Sequence, residues 1–206
     1  MNPLSSFALL VAAIPALGAG IQFPSGAPSK SPDGRWNLIC KGPANGEADW
    51  PRLLLLNRVQ GRSVELRRID RYCDTMWSPD SARIALTDRW ASDSSDIFIY
   101  AVADRVSSKS VRELFPTNAI PAAELASHCY FEACEWLDRR RLRFKVSGHT
   151  DEFPVHSFDH EYILTVTSGR FEKATKKKPN QKVRPTGASR SAVETNRTSS
   201  PAGFRR

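Results

Sequence analysis

The chemistry open to this chain is narrowed first by what it lacks. It has no Gly-x-Ser-x-Gly elbow, no glycine-rich loop of the kind that cradles phosphate, and no cysteine with an evident base partner. The common signatures of serine hydrolases, nucleotide-binding enzymes and thiol enzymes are therefore missing, and no cofactor is expected. Cys-x-x-Cys spacing is absent too, as is matched histidine spacing, which leaves structural zinc without its usual pattern. The most apolar stretch, around residues 4–19, holds about 15 apolar residues, fewer than the about 20 that a helix needs to cross a bilayer. No transmembrane span is expected.

Positive charge is unevenly spread. The 206 residues carry 30 Lys or Arg against 22 Asp or Glu, a formal net charge of +8. Residues 171–206 hold 10 of those cations and only two acids, Glu172 and Glu194, so the whole excess lies there and the preceding body is balanced. This segment is also rich in Ser, Thr and Pro and poor in apolar residues, which predicts a disordered basic tail. Lys176, Lys177 and Lys178 suit contact with an anionic surface, whether phosphate, membrane or acidic polymer. The body itself gives no electrostatic reason to bind nucleic acid.

At the other end, residues 1–20 carry no charged side chain, and Phe7 to Ile14 form an apolar core before Ala16, Gly18, Ala19 and Gly20. The pattern predicts a secretory signal peptide cleaved near Gly18 to Gly20, with an uncleaved anchor as the alternative. Export would put the protein in the periplasm or outside the cell. There the four cysteines, Cys40, Cys73, Cys129 and Cys134, become disulfide candidates with three connectivities open. Cys129 and Cys134 face opposite ways in a continuous strand, so joining them needs a bulge or turn. The alternative is that all four are small buried thiols.

One unit recurs in the intervening body. Trp77-Ser78-Pro79-Asp80-Ser81 is a turn, with Pro79 presetting the backbone and Asp80 able to bond its own main chain. It runs at once into the alternating stretch Arg83 to Thr87, which predicts a strand. Ser31-Pro32-Asp33-Gly34 repeats the turn 47 residues earlier and is followed by a strand over 35–41. A third copy starts at Trp136, 59 residues after Trp77, and keeps Asp138 and the strand 141–147 but not the proline. Further strands are expected over 53–56 with Val59, 62–69, 72–77, 95–103, 109–114, 130–136, 162–166 and 170–174. Ile97 and Ile99 alternate with Phe98 and Tyr100, so both faces of that strand need partners. Between residues 116 and 128 an insertion starts one or two helical turns at Pro121.

At these residues the chain resembles the TolB-like beta-propeller repeat, whose pattern is a tryptophan, a Ser-Pro-Asp-Gly turn, an Ile-Ala-Phe-like strand and a later Asp-Ile-Tyr-like strand. Asp96-Ile97-Phe98-Ile99-Tyr100 matches the last of these. The resemblance covers residues 28 to 170 and implies an all-β domain over residues 21–170, a partial or three-blade propeller-like array of four-stranded antiparallel sheets. Closed propellers have about 4 to 8 blades, so the outer blades expose faces that something must cover. A homodimer closing a six-blade ring is one solution; capping by the N-terminal segment, the insertion or a partner is the other.

For chemistry, residues 149–161 concentrate His149, His156 and His160 with Asp151, Glu152, Asp159 and Glu161. Pro154 argues against a helix that would align His156 with His160, so the expected reading is a polar loop, with these three histidines the only candidate metal ligands. Two functional expectations follow. The first is an exported, non-catalytic module that binds protein or cell-envelope polymer, which rests on the resemblance. The second is a metal-binding or hydrolytic enzyme that uses the His149 to His160 loop.

Overall fold

A computed structural model of the chain describes residues 20–42, 50–103, 106–151 and 153–174. Of the expected signal segment only Gly20 lies among them, and residues 175–206 of the expected tail lie outside. The described body is almost entirely antiparallel β-structure, with two short helices. After a short β1 (Ile21–Phe23) come three four-stranded meanders. The first is β2 (Ser29–Lys30), β3 (Trp36–Lys41), β4 (Arg52–Asn57) and β5 (Ser63–Arg68). The second is β6 (Tyr72–Trp77), β7 (Arg83–Arg89), β8 (Ser94–Ala101) and β9 (Ser107–Ser110). The third is β10 (His128–Trp136), β11 (Arg141–His149), β12 (Ser157–Thr165) and β13 (Arg170–Lys173).

The repeated turn sits between the first and second strand of every meander, and in the first two its hydrogen bonds repeat atom for atom. In the first, the Ser31 hydroxyl donates to Asp33 Oδ1 (2.7 Å) and accepts from the Trp36 N–H (3.0 Å), while the Arg35 N–H donates to Asp33 Oδ1 (3.0 Å). In the second, Ser78 donates to Asp80 (2.6 Å), Arg83 N–H donates to Ser78 (2.9 Å), and Ala82 N–H donates to Asp80 (3.1 Å). Gly34 and Ser81 occupy the same place with φ of +72° and +60°, the left-handed region that glycine enters at little cost. Pro32 and Pro79 precede the two aspartates in a turn that bonds Gly34 N–H to Ser31 O and Ser81 N–H to Ser78 O. Such local side-chain bonds explain why Ser, Pro and Asp are found at these positions.

Alternation in the strands then dictates the layering. In β8, Ile97 and Ile99 enter one hydrophobic core with Phe131, Trp136, Leu142, Phe144 and Leu164 of the third meander. Phe98 and Tyr100 enter another with Leu38, Leu53 and Leu55 of the first. The second meander is thus covered on both faces, as its apolar alternation requires. Equivalent bonds tie neighbours together. The Trp77 indole N–H donates to Ser29 Oγ (3.1 Å), and the Trp136 indole N–H donates to Met76 O (3.2 Å); Ser29 and Met76 each stand two residues before the serine that opens their turn.

Several expectations change in the structure. The strand expected over 109–114 ends at Ser110 and gives way to α1 (Val111–Leu114), because Ser110 caps the helix by accepting from Glu113 N–H (3.0 Å) and Asp96 accepts from Arg112 N–H (2.9 Å). Val59, expected to extend β4, is 80% exposed in the turn beyond it. The second and third meanders are not separate sheets: Cys129 and Tyr130 of β10 pair in parallel with Ser94 and Ser95 of β8, fusing them into one, while the first meander remains its own sheet. The last strand places Phe171 against Phe115 (ring centroids 5.4 Å), so the fold extends beyond residue 170, where composition drew the boundary.

Two segments cover what the meanders alone would expose. β1 pairs with β6 and buries Phe23 completely. The insertion carries α2 (Ala122–Ala126), and the segment leading to it lays Phe115 and Ile120 on the third meander, where Phe115 meets Phe131, Tyr162 and Phe171 edge-on at 5.0–5.4 Å. Edge-on aromatic pairs add about 0.5–1.5 kcal/mol each beyond their buried area. Tyr162 and Leu164 are consequently buried within one chain. No helix among the described residues is long and apolar enough to cross a membrane.

Candidate functional site

All four histidines gather at one end of the third meander, where β10 begins, β11 ends and β12 begins. Gly148 makes this convergence tight. A Cβ at that position would lie 1.7 Å from His128 O and 2.9 Å from the Phe158 ring, so only glycine lets β11 come this close to β10. The register then sets His128 opposite His149, and their rings meet edge-on with centroids 4.3 Å apart. Nδ1 of His128 and Nε2 of His149 are 2.7 Å apart, so one of them carries the proton of a hydrogen bond. Asp151, two residues further on, places Oδ1 3.9 Å from each of those nitrogens. Its backbone N–H donates to Ser127 Oγ (3.4 Å).

A second group lies alongside. Glu124 comes from α2 and is buried, yet its carboxylate faces His160 Nε2 (2.9 Å) and His156 Nε2 (3.5 Å). Thr150 Oγ1 accepts from the His156 N–H (3.1 Å) and lies 3.2 Å from His156 Nδ1. With the threonine hydroxyl donating to Nδ1, the Nε2 proton of His156 points at Glu124. Two histidine donors thereby satisfy a buried carboxylate, which would otherwise be costly. Burial pushes the Tyr162 phenol up, and the Glu124 carboxylate adds to this. The pair of histidines pins α2 to the sheet.

His149, His156 and His160, the three expected candidates, are thus close together but divided between two groups. His160 sits in β12 rather than in a loop, since that strand begins at Ser157. The sequence reading missed His128 and Glu124, which lie 21 and 32 residues before His149 and His156; spacing along the chain gave no signal for either. Beyond Asp151 the loop tip carries Phe153, 97% exposed, and Val155, 60% exposed.

The remaining candidates are structural in their placement. Ser31, Ser78 and Ser81 are buried in the turns: Ser31 donates to Asp33 and Ser78 to Asp80, Ser81 Oγ accepts from the Asp33 N–H (2.9 Å), and Asp138 accepts from the Arg141 N–H of the third turn. Cys40, Cys73, Cys129 and Cys134 are all unpaired, so the structure contains none of the three disulfide connectivities. Cys73 is fully buried, and burial first, then the nearby Asp88 and Asp74 carboxylates, push its thiol up to about 12. Burial likewise raises Cys129. Cys134 sits at the bulge between Ala133 and Glu135 and is exposed, but it and the buried Cys129 point to different environments. Comparison with family models, with curated proteins and with solved structures returns no match to this chain, so a functional reading rests on these residues and their geometry.

Proposed function

We propose that the chain is an exported, non-catalytic binding module, its meanders forming a TolB-like, propeller-like array of three blades, and that it contacts a protein or cell-envelope polymer through the loop between β11 and β12. The observation that supports a binding role is the tip of that loop. Phe153 and Val155 stand in solvent at 97% and 60% exposure, while Thr150 and His156 close the loop beneath them through the bonds Thr150 N–H to His156 O (3.0 Å) and His156 N–H to Thr150 Oγ1 (3.1 Å). A held apolar tip loses little freedom when a partner covers it. The matched indole bonds of Trp77 and Trp136 support the blade reading, because each would be the same contact between successive blades. Burial of Tyr162 and Leu164 within one chain favours a capped array over a ring-closing dimer.

A photo-crosslinking side chain at position 153, compared with one at the likewise exposed Val59, tests this in the protein's own cells. The expected result is a discrete adduct from 153 and none from 59. Absence of an adduct at 153, or the same adducts from both positions, would remove the reading.

A further inference from the structure

The histidine end also presents donor atoms that a binding loop does not require. We propose that His128, His149 and Asp151 form a site for one divalent transition-metal ion of the zinc class. Their three donor atoms form a triangle with sides of 2.7, 3.9 and 3.9 Å. The in-plane point equidistant from all three lies about 2.1 Å from each, the circumradius of that triangle, so the three donors are spaced on the scale of zinc–nitrogen distances of about 2.0–2.1 Å and zinc–oxygen distances of about 2.0–2.2 Å.

Binding requires one small rearrangement. Two nitrogens on a tetrahedral ion stand about 3.4 Å apart, so the imidazole pair opens by about 0.7 Å as Asp151 closes in. The proton now shared between His128 Nδ1 and His149 Nε2 leaves the gap for the remote nitrogen of its own ring. Both imidazoles stay neutral, and both lone pairs face the ion. Two nitrogens and one carboxylate oxygen favour zinc and its neighbours over magnesium and calcium, which take oxygen alone. Water would fill the remaining position.

Fold and access both suit this assignment. Cross-strand register, enforced by the close approach at Gly148, fixes the two histidines before any ion arrives. The side chains of His128, His149 and Asp151 are 39%, 41% and 58% exposed, so an ion can reach them from solvent. The neighbouring trio does not compete: Glu124 is buried, and the Nε2 atoms of His156 and His160 direct protons at it, not lone pairs at a common point. The inference does not depend on the binding-loop reading, because none of its three ligands is Phe153 or Val155.

Equilibrium dialysis of the untagged full chain against zinc alone, with metal content measured per chain, tests the site, and cobalt supplies a visible-absorption readout of coordination. One ion per chain is expected, with affinity at least tenfold weaker in His128→Ala and in His149→Ala. Asp151→Ala, an exposed change at a residue of neither core, is expected to weaken it while leaving the circular dichroism spectrum unchanged. The double variant His156→Ala/His160→Ala should retain the ion. Folded wild-type protein that takes up no zinc at micromolar free metal would overturn the proposal. So would an ion that survives His149→Ala with Asp151→Ala, or one lost only when His156 and His160 are removed.

Discussion

In the second turn the Ser78 hydroxyl, fully buried, accepts from Arg83 N–H and donates to Asp80. In the third, Leu137 stands in that place, and the turn is one residue shorter: Leu137 N–H donates to Arg141 O, where Ser78 N–H reaches across to Arg83 O. Asp138 takes over the missing acceptor. Its Oδ1 receives both Arg140 N–H (2.7 Å) and Arg141 N–H (2.9 Å), and its Oδ2 receives the Arg141 guanidinium (2.7 Å). Shortening the loop brings the backbone donors within reach of one carboxylate, so the serine is dispensable there. The aspartate is the common requirement; the serine and proline belong to the longer version.

The two regions also differ in how their tryptophans are held, and this predicts the largest effect. Trp136 is completely buried whereas Trp77 is half-buried. Trp136→Ala is expected to cost about 3–5 kcal/mol by denaturant unfolding, and Trp77→Ala about 1.5–3 kcal/mol. The reverse order would mean that the second turn, not the third, anchors the array. A related contrast separates the end of the third meander from the chain beyond it. Ending the protein after Arg170 removes the Phe171 ring from Phe115 and Phe144 and should lower stability by about 2 kcal/mol, whereas ending it after Ala174 should leave the thermal transition unchanged.

Smaller effects probe the turn chemistry itself. Ser78→Ala strands the Arg83 N–H and should cost about 1–2 kcal/mol. Leu137→Ser, which makes the third turn resemble the second, should bring no gain in stability, since Asp138 already holds the donors and the half-buried leucine gives up apolar contact. A gain of the size lost in Ser78→Ala would show that the turns are interchangeable after all. The smallest expected effect is acid sensitivity. At Asp33, burial opposes ionisation, but the bonds from Ser31 and Arg35 outweigh it and hold the carboxyl at about 2; at Asp138 the Arg140 N–H, then Arg141, hold it low. A carboxyl with a lowered folded-state pKa stabilises the fold above its unfolded value, and that contribution fades as pH falls from about 4 toward 2. Both groups are partly exposed, so solvent screens them. Asp33→Asn and Asp138→Asn should each flatten the pH dependence of stability in that window, measured by thermal unfolding.

The features legible in the sequence were those carried by neighbours along the chain. Ile97 to Tyr100 announced a strand needing partners on both faces, and the structure supplies a core on each. β1 was not legible as a strand, because three residues carry too little periodicity and Phe23 is recognised only by what it packs against. The helical run Val111–Leu114 reads as strand in the sequence because one acceptor for its first turn, Asp96 in β8, lies 16 residues away from Arg112. For the candidate site, His149, His156 and His160 were visible as a concentration of ligating residue types, while His128 and Glu124 were not.

By itself, then, the sequence determined the turns and the alternating strands. Their bonds join residues two to five positions apart, and closing so short a loop needs no help from the rest of the fold. Only the tertiary structure decided which strands share a sheet, how the second meander is enclosed, and that His128 meets His149 across 21 residues while Glu124 meets His160 across 36. Those contacts depend on strand register and on the close approach at Gly148. A one-residue slip would turn every such side chain to the opposite face, so their positions are fixed by the packing that forbids the slip.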